Sequence, residues 1–250
     1  MPGTPASSAI VIAAGLVAVA AAPSTVAARP SDVTIRAADG VAVHGTYTPA
    51  PRPRALILLF HQAGSGKGEY ATIAPRLAAA GYASLAIDQR SGGSMFGPNK
   101  TVAGLGRSAS YLDAERDLEA AFAWGRRRGP PVVLWGSSYS AALVLRLAAR
   151  HPREVSAVLA FSPGEYLGAP ALVRQAASGV RAPVFATSSA AGAEIAAARA
   201  ILAASPAAFK VQHLPSGAGV HGSSTLIRAR NPRGAADNWR AVLAFLDRVV

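Results

Sequence analysis

Residues 132–143 read Val-Val-Leu-Trp-Gly-Ser-Ser-Tyr-Ser-Ala-Ala-Leu. A short β-branched, apolar run ends in Gly136-Ser137-Ser138-Tyr139-Ser140, and Ala/Leu-rich helical sequence begins at once. That order predicts a strand, a sharp turn and a helix, with Ser138 at the apex. A serine there sits on a strained corner with its hydroxyl outward and the first amides of the following helix beneath it. Such a hydroxyl is suited to nucleophilic attack on an acyl carbon. Small residues are needed on both sides because backbone passes close to the corner. Gly136 meets the requirement, while Ser140 stands where the pattern usually has glycine. The bland alternative is an ordinary strand-to-helix loop.

A nucleophile needs a proton acceptor. The five histidines are His44, His61, His151, His213 and His221, and the last three follow Ser138. His151-Pro152 reads as a helix stop, and His213 lies inside a strand. His221 lies in the glycine-rich run 216–222. Between Ser138 and His221 the carboxylates are Glu154, Glu165 and Glu194. Glu154 precedes a strand and belongs at the opposite edge of a parallel sheet. Glu165 and Glu194 each follow one.

The elements that must position these residues alternate along the chain. Val33–Arg36 and Val41–Thr48 flank Asp39-Gly40 and read as an antiparallel hairpin. Ala55–Phe60 is wholly apolar, as a strand buried on both faces should be. Helix over about 70–80, strand Ala83–Ile87, helix over about 111–128 and the strand before Ser138 follow. Beyond the helix that ends near Arg150 come strand Val155–Phe161, a loop with a short helix, and strand Val184–Ser188. A helix over 194–204, a strand over 209–214 and an amphipathic helix over 238–250 close the chain. The alternation predicts a single α/β domain with a mostly parallel sheet between helices. At 250 residues and 51% hydrophobic composition the chain can bury one such core.

This element order, with its serine elbow, resembles the α/β-hydrolase fold over residues 29–250, and the chain looks most similar to the cap-poor, dienelactone-hydrolase-like group. Dienelactone hydrolase itself uses a cysteine nucleophile, and this sequence has no cysteine. The serine esterases of the superfamily are therefore the better analogy. The resemblance implies the chain order Ser, then Asp or Glu, then His. It places the base in the loop after the last strand, hence His221, since an imidazole suits proton transfer near neutral pH. It places the acid after the seventh strand, hence Glu194, with Glu165 in reserve. It implies an oxyanion hole from the Tyr139 amide and a second amide in His61-Gln62-Ala63-Gly64, assigned to Gln62, with His61 as a loop anchor. The implied activity is hydrolysis of a small or accessible carboxylic ester through an acyl-enzyme. A non-catalytic binding protein of the same fold and an acyltransferase with the same nucleophile remain alternatives.

Other readings fall away. Gly64-Ser65-Gly66-Lys67 suggests a phosphate loop, but that motif needs glycine where His61 stands and Ser or Thr where Gly68 stands. Asp88, Arg90 and Gly92-Gly93 resemble a structural turn of the superfamily. Asp113, Glu115, Asp117 and Glu119 are expected to form a solvated helix face. No histidine pair or carboxylate cluster has metal-ligand spacing, so neither metal nor cofactor is expected. The net charge of +12 comes almost wholly from dispersed arginines without interleaved aromatic residues, which argues against a nucleic-acid site. Residues 10–22 are an unbroken apolar run followed by small residues, which predicts a cleaved leader over 1–28 and a secreted or periplasmic protein. That run is too short to span a membrane stably. No lysine or arginine precedes it, unlike most leaders.

Overall fold

The computed structural model describes residue 3, residues 29–215 and residues 218–250. The leader expected over 1–28 therefore lies outside the described residues, except for residue 3, as do residues 216 and 217 of the glycine-rich run.

Eight strands form one sheet in the order β1-β2-β4-β3-β5-β6-β7-β8. β1 (Ser31–Arg36) and β2 (Ala42–Thr48) make the antiparallel hairpin, and β2 also runs antiparallel to β4 (Ala83–Ile87). The remaining strands are parallel: β3 (Leu56–Phe60), β5 (Val132–Ser137), β6 (Val155–Phe161), β7 (Val184–Thr187) and β8 (Lys210–His213). The helices are α1 (Ile73–Ala79), α2 (Lys100–Leu105), α3 (Glu115–Arg126), α4 (Tyr139–Arg150), α5 (Leu172–Ala177), α6 (Gly192–Ala204) and α7 (Ala235–Val249).

The continuous apolar runs exist because both sheet faces are covered. Alternate residues of β3 enter different cores: Leu56, Leu58 and Phe60 pack with Leu118 of α3 and Leu143 and Leu147 of α4. Ala55, Ile57 and Leu59 pack with Leu77 of α1 and Trp239, Val242 and Phe245 of α7. A strand with period-two burial on two faces has no solvent side, so polar residues are excluded throughout. Leu58→Ala would leave a cavity at a fully buried position and cost about 3 kcal/mol. The chain leaves β3 for β4 on one side and returns to β5 on the other, so the crevice beyond the carboxyl ends of β3 and β5 is where a ligand site is expected.

Three local expectations change. The helix anticipated over 70–80 divides into a 3-10 turn at Lys67–Tyr70 and α1. α2 was not anticipated in its glycine-rich surroundings; the Asn99 side chain caps it by accepting from the Val102 amide at 2.8 Å. The carboxylates of the third helical region are not all solvated, because Asp117 is fully buried. Its Oδ2 accepts from the Arg90 amide at 2.7 Å and its Oδ1 from the Arg90 guanidinium. Burial pushes the Asp117 carboxyl up and the Arg90 bonds oppose that push. A buried arginine clasped by Asp117 and Asp39 replaces the expected polar surface.

Candidate active site

β5 delivers Ser138 to the turn before α4. Its backbone has φ of 59° and ψ of −123°, a region that non-glycine residues rarely adopt. The corner closes only with glycine at 136, where a Cβ atom would lie 2.3 Å from the Ser140 carbonyl oxygen. Ser140 uses its hydroxyl to brace the elbow. Its Oγ donates to the His61 carbonyl at 2.6 Å and accepts from Gln89 Nε2 at 2.9 Å. The serine in place of glycine thus ties α4 to the loop after β3.

The loop after β8 brings His221 over this corner. His221 Nε2 lies 2.8 Å from Ser138 Oγ, and His221 Nδ1 lies 3.0 Å from Glu194 Oε1. With Nδ1 protonated, the ring donates to Glu194 and accepts the serine proton at Nε2. Glu194 Oε2 also accepts from the Ser189 amide at 3.1 Å. Burial works against the charged form of Glu194, yet bonds from Ser162, His221 and Ser189 outweigh it and hold the carboxyl below its ordinary value. The carboxylate is therefore ionised at neutral pH. The loop that carries His221 is itself fixed, since the Gly222 amide donates to Ser162 Oγ at 2.9 Å and the Ser223 amide to Ser137 Oγ at 2.8 Å.

The other candidates lie elsewhere. His151 pairs with Glu119 and Glu154 at the end of α4, and His213 faces Asp237 and stacks on Phe185. Glu165 accepts from the Val173 and Arg174 amides at the start of α5. His61 is fully buried: the Gln89 amide donates to its Nε2 at 3.0 Å, so its Nδ1 carries the proton and donates to the Gln62 carbonyl at 2.8 Å. Burial holds its pKa down to about 4, which keeps the ring neutral as an anchor. Lys67, from the discarded phosphate motif, is committed to Asp88 through both its amide and its ammonium group.

The assignment of the Gln62 amide to the oxyanion hole needs correction. That N–H donates to Glu69 Oε2 at 2.8 Å, so it is turned into the protein. The Gln62 side chain stays near the site instead, with Nε2 against Met95 Sδ. Tyr139 opens α4, where its amide has no partner within the helix. Its phenol is buried between Gln89 and Ser91 and stacks on Tyr111. Sequence reasoning missed Glu69, Ser137 and Ser162, all buried polar residues. The signal for Glu69 was a carboxylate in Gly68-Glu69-Tyr70, a segment otherwise bound for the core.

The model for the family described as "Serine aminopeptidase, S33" matches residues 51–210. A monoacylglycerol lipase of Mycolicibacterium smegmatis is 30% identical over 121 residues, covering 48% of this chain and 42% of that protein. Among solved structures, a dienelactone hydrolase from Anabaena variabilis superposes with a TM-score of 0.68 at 18% identity, over 89% of this chain and 98% of that one. The esterase Pf2001 of Pyrococcus furiosus gives 0.65 at 18% identity, over 88% and 93%. A monoacylglycerol lipase from Paleococcus ferrophilus gives 0.64 at 16% identity, over 83% and 99%. The structural likenesses establish the α/β-hydrolase fold, and the sequence match over residues 51–210 establishes that the chain belongs to the serine aminopeptidase S33 family.

Proposed function

We propose that this protein is a serine hydrolase that cleaves carboxylic esters through an acyl-enzyme, with Ser138 as nucleophile, His221 as general base and acid, and Glu194 as the group that orients His221. The observation that carries the reading is the continuous relay from Ser138 Oγ through the His221 ring to Glu194 Oε1, at 2.8 and 3.0 Å. Ser138 Oγ attacks the acyl carbon while its proton passes to His221 Nε2. The imidazolium is stabilised by Glu194 and returns that proton to the leaving alkoxide. Water then repeats the sequence to release the acid. The Tyr139 amide donates to the tetrahedral oxyanion. With the Gln62 amide committed to Glu69, the reading assigns the second donor to the next amide of the loop, Ala63. Each such donor lowers the barrier by about 3 kcal/mol.

Only the short α5 interrupts the path between β6 and β7, so the site is open and suits small or accessible esters. Monoacylglycerols are the first class to assay, because a monoacylglycerol lipase is among the relatives. Among the described residues no helix is long and apolar enough to cross a membrane. We also propose export with removal of residues 1–28, supported by the apolar run over 10–22. The mature amino terminus, sequenced after expression in a bacterial host, tests it: a start near residue 23 or 29 supports export, and retention of Met1 overturns it. The catalytic reading is tested by covalent labelling and ester turnover in Ser138 and His221 variants. Competing alcohols and amines in the same assay distinguish hydrolysis from acyl transfer.

A further inference from the structure

We propose that Glu69 is a positioning residue for this reaction, joining through its carboxylate the three loops that carry the Ala63 amide, the nucleophile and the base. The proposal rests on Ser138 being the nucleophile. Glu69 lies in the 3-10 turn after the β3 loop and is 1% exposed. Its Oε2 accepts from the Gln62 amide at 2.8 Å, fixing the loop that contains Ala63. Its Oε1 accepts from Ser137 Oγ at 2.7 Å, one residue before the nucleophile. That same Oγ accepts from the Ser223 amide at 2.8 Å, two residues beyond His221. One carboxylate and one hydroxyl thus connect the ends of the β3 loop, the Ser138 elbow and the His221 loop.

The donors around Glu69 favour its charged form. Two donors, the Gln62 amide and the Ser137 hydroxyl, each point at a separate oxygen of Glu69. Protonation at Oε2 weakens that oxygen as the acceptor for Gln62 and adds a hydrogen that needs an acceptor of its own. Protonation at Oε1 turns the Ser137 hydroxyl away, because Ser137 Oγ then receives hydrogens from both Glu69 and Ser223 and its own has no acceptor. The groups around Glu69 are Tyr70 on its own turn, Ser65 and Gln62 on the β3 loop, Ser137 on the elbow, and His221 and Ser223 on the base loop. Of these only His221 can supply a positive charge. Burial pushes the Glu69 carboxyl up to about 7, against the bonds from Gln62, Ser137 and Ser65 and the pull of His221. A buried carboxylate without a resident cation is costly to the fold. Here it also favours the imidazolium that forms when Ser138 gives up its proton.

The test uses wild type, Glu69→Gln, Ser137→Ala and the double variant. A fluorophosphonate probe titrates reactive sites, and p-nitrophenyl acetate turnover is measured per titrated site from pH 5 to 9. Positioning predicts that kcat per site falls about 100-fold in Glu69→Gln with KM little changed, since small misplacements of reacting groups cost that much. Ser137→Ala should fall comparably, and the double variant should be no worse than either single variant. The acid limb of the wild-type profile should be steeper than one proton and should revert to one proton in Glu69→Gln. If Glu69→Gln fails to fold, Ser137→Ala and the wild-type slope decide. Folded variants with wild-type kcat per site and an unchanged profile overturn the proposal and leave the catalytic reading intact. Wild type that neither labels nor turns over overturns both.

Discussion

His221 Nε2 reaches within 2.8 Å of Ser138 Oγ across 83 residues of sequence. The contact exists because β5 through β8 run parallel, so every strand delivers its following loop to one edge of the sheet. β5 leads to Ser138, β7 leads to Glu194, and the loop after β8 carries His221. Sheet direction thus positions chemistry that no local segment contains.

Glu194 and Glu165 should separate cleanly by substitution. Glu194→Gln removes the negative charge beside His221 and, with its carbonyl drawn to the Ser189 amide, turns an NH2 toward Nδ1 that favours the wrong tautomer, so kcat should fall by about 1,000-fold or more with the fold retained. Glu165→Gln should leave kcat within a few-fold of wild type. It weakens acceptance of the Val173 and Arg174 amides and should cost about 1 kcal/mol of stability. Steady-state kinetics with urea unfolding of both variants checks this. Equal kinetic losses would contradict the assignment of the acid.

Gly222 should tolerate no side chain. It has φ of +65°, and a Cβ atom there would lie 2.5 Å from Ser137 Oγ. Gly222→Ala must either displace the hydroxyl that links Glu69 to the base loop or shift His221 itself. Stability should fall by about 1–3 kcal/mol, and turnover should fall further than the folded fraction accounts for. Full specific activity in the folded fraction would show that the loop can move without consequence.

Two buried groups beside the site should pull stability in opposite directions with pH. His61 has its pKa lowered from 6.5 to about 4 by burial, so in that window the unfolded chain binds more protons. Its contribution is complete above 6.5 and is lost as pH falls. Glu69 is pushed up from 4.5 to about 7, so there the folded chain binds more protons and stability falls as pH rises. Urea unfolding at pH 7.5 and pH 5 should show His61→Gln gaining on wild type upon acidification, while Glu69→Gln loses ground. Parallel behaviour of all three proteins would contradict both linkages.

Much of this arrangement is legible in the sequence, and the illegible parts share a cause. The Ser138 elbow and the strands flanking it announce themselves because two-faced burial forces continuous apolar runs, and because Gly136 has no room for a side chain. The choice between Glu194 and Glu165 is not legible, since both follow strands and differ only in which partner the fold supplies. Asp117 reads as surface charge because Arg90, which clasps it, lies 27 residues earlier. The Gln62 amide reads as an oxyanion donor until Glu69 is seen to accept it. Periodicity reports burial of apolar residues, whereas buried polar residues are defined by distant partners that leave no periodic trace.

The most direct test of the account is fluorophosphonate labelling together with p-nitrophenyl acetate turnover in wild type, Ser138→Ala and His221→Ala. Wild type should label and turn over, labelling should be lost completely in Ser138→Ala, and turnover should be lost in both variants. Folded wild-type protein that neither labels nor hydrolyses the ester, or labelling that persists in Ser138→Ala, would contradict it.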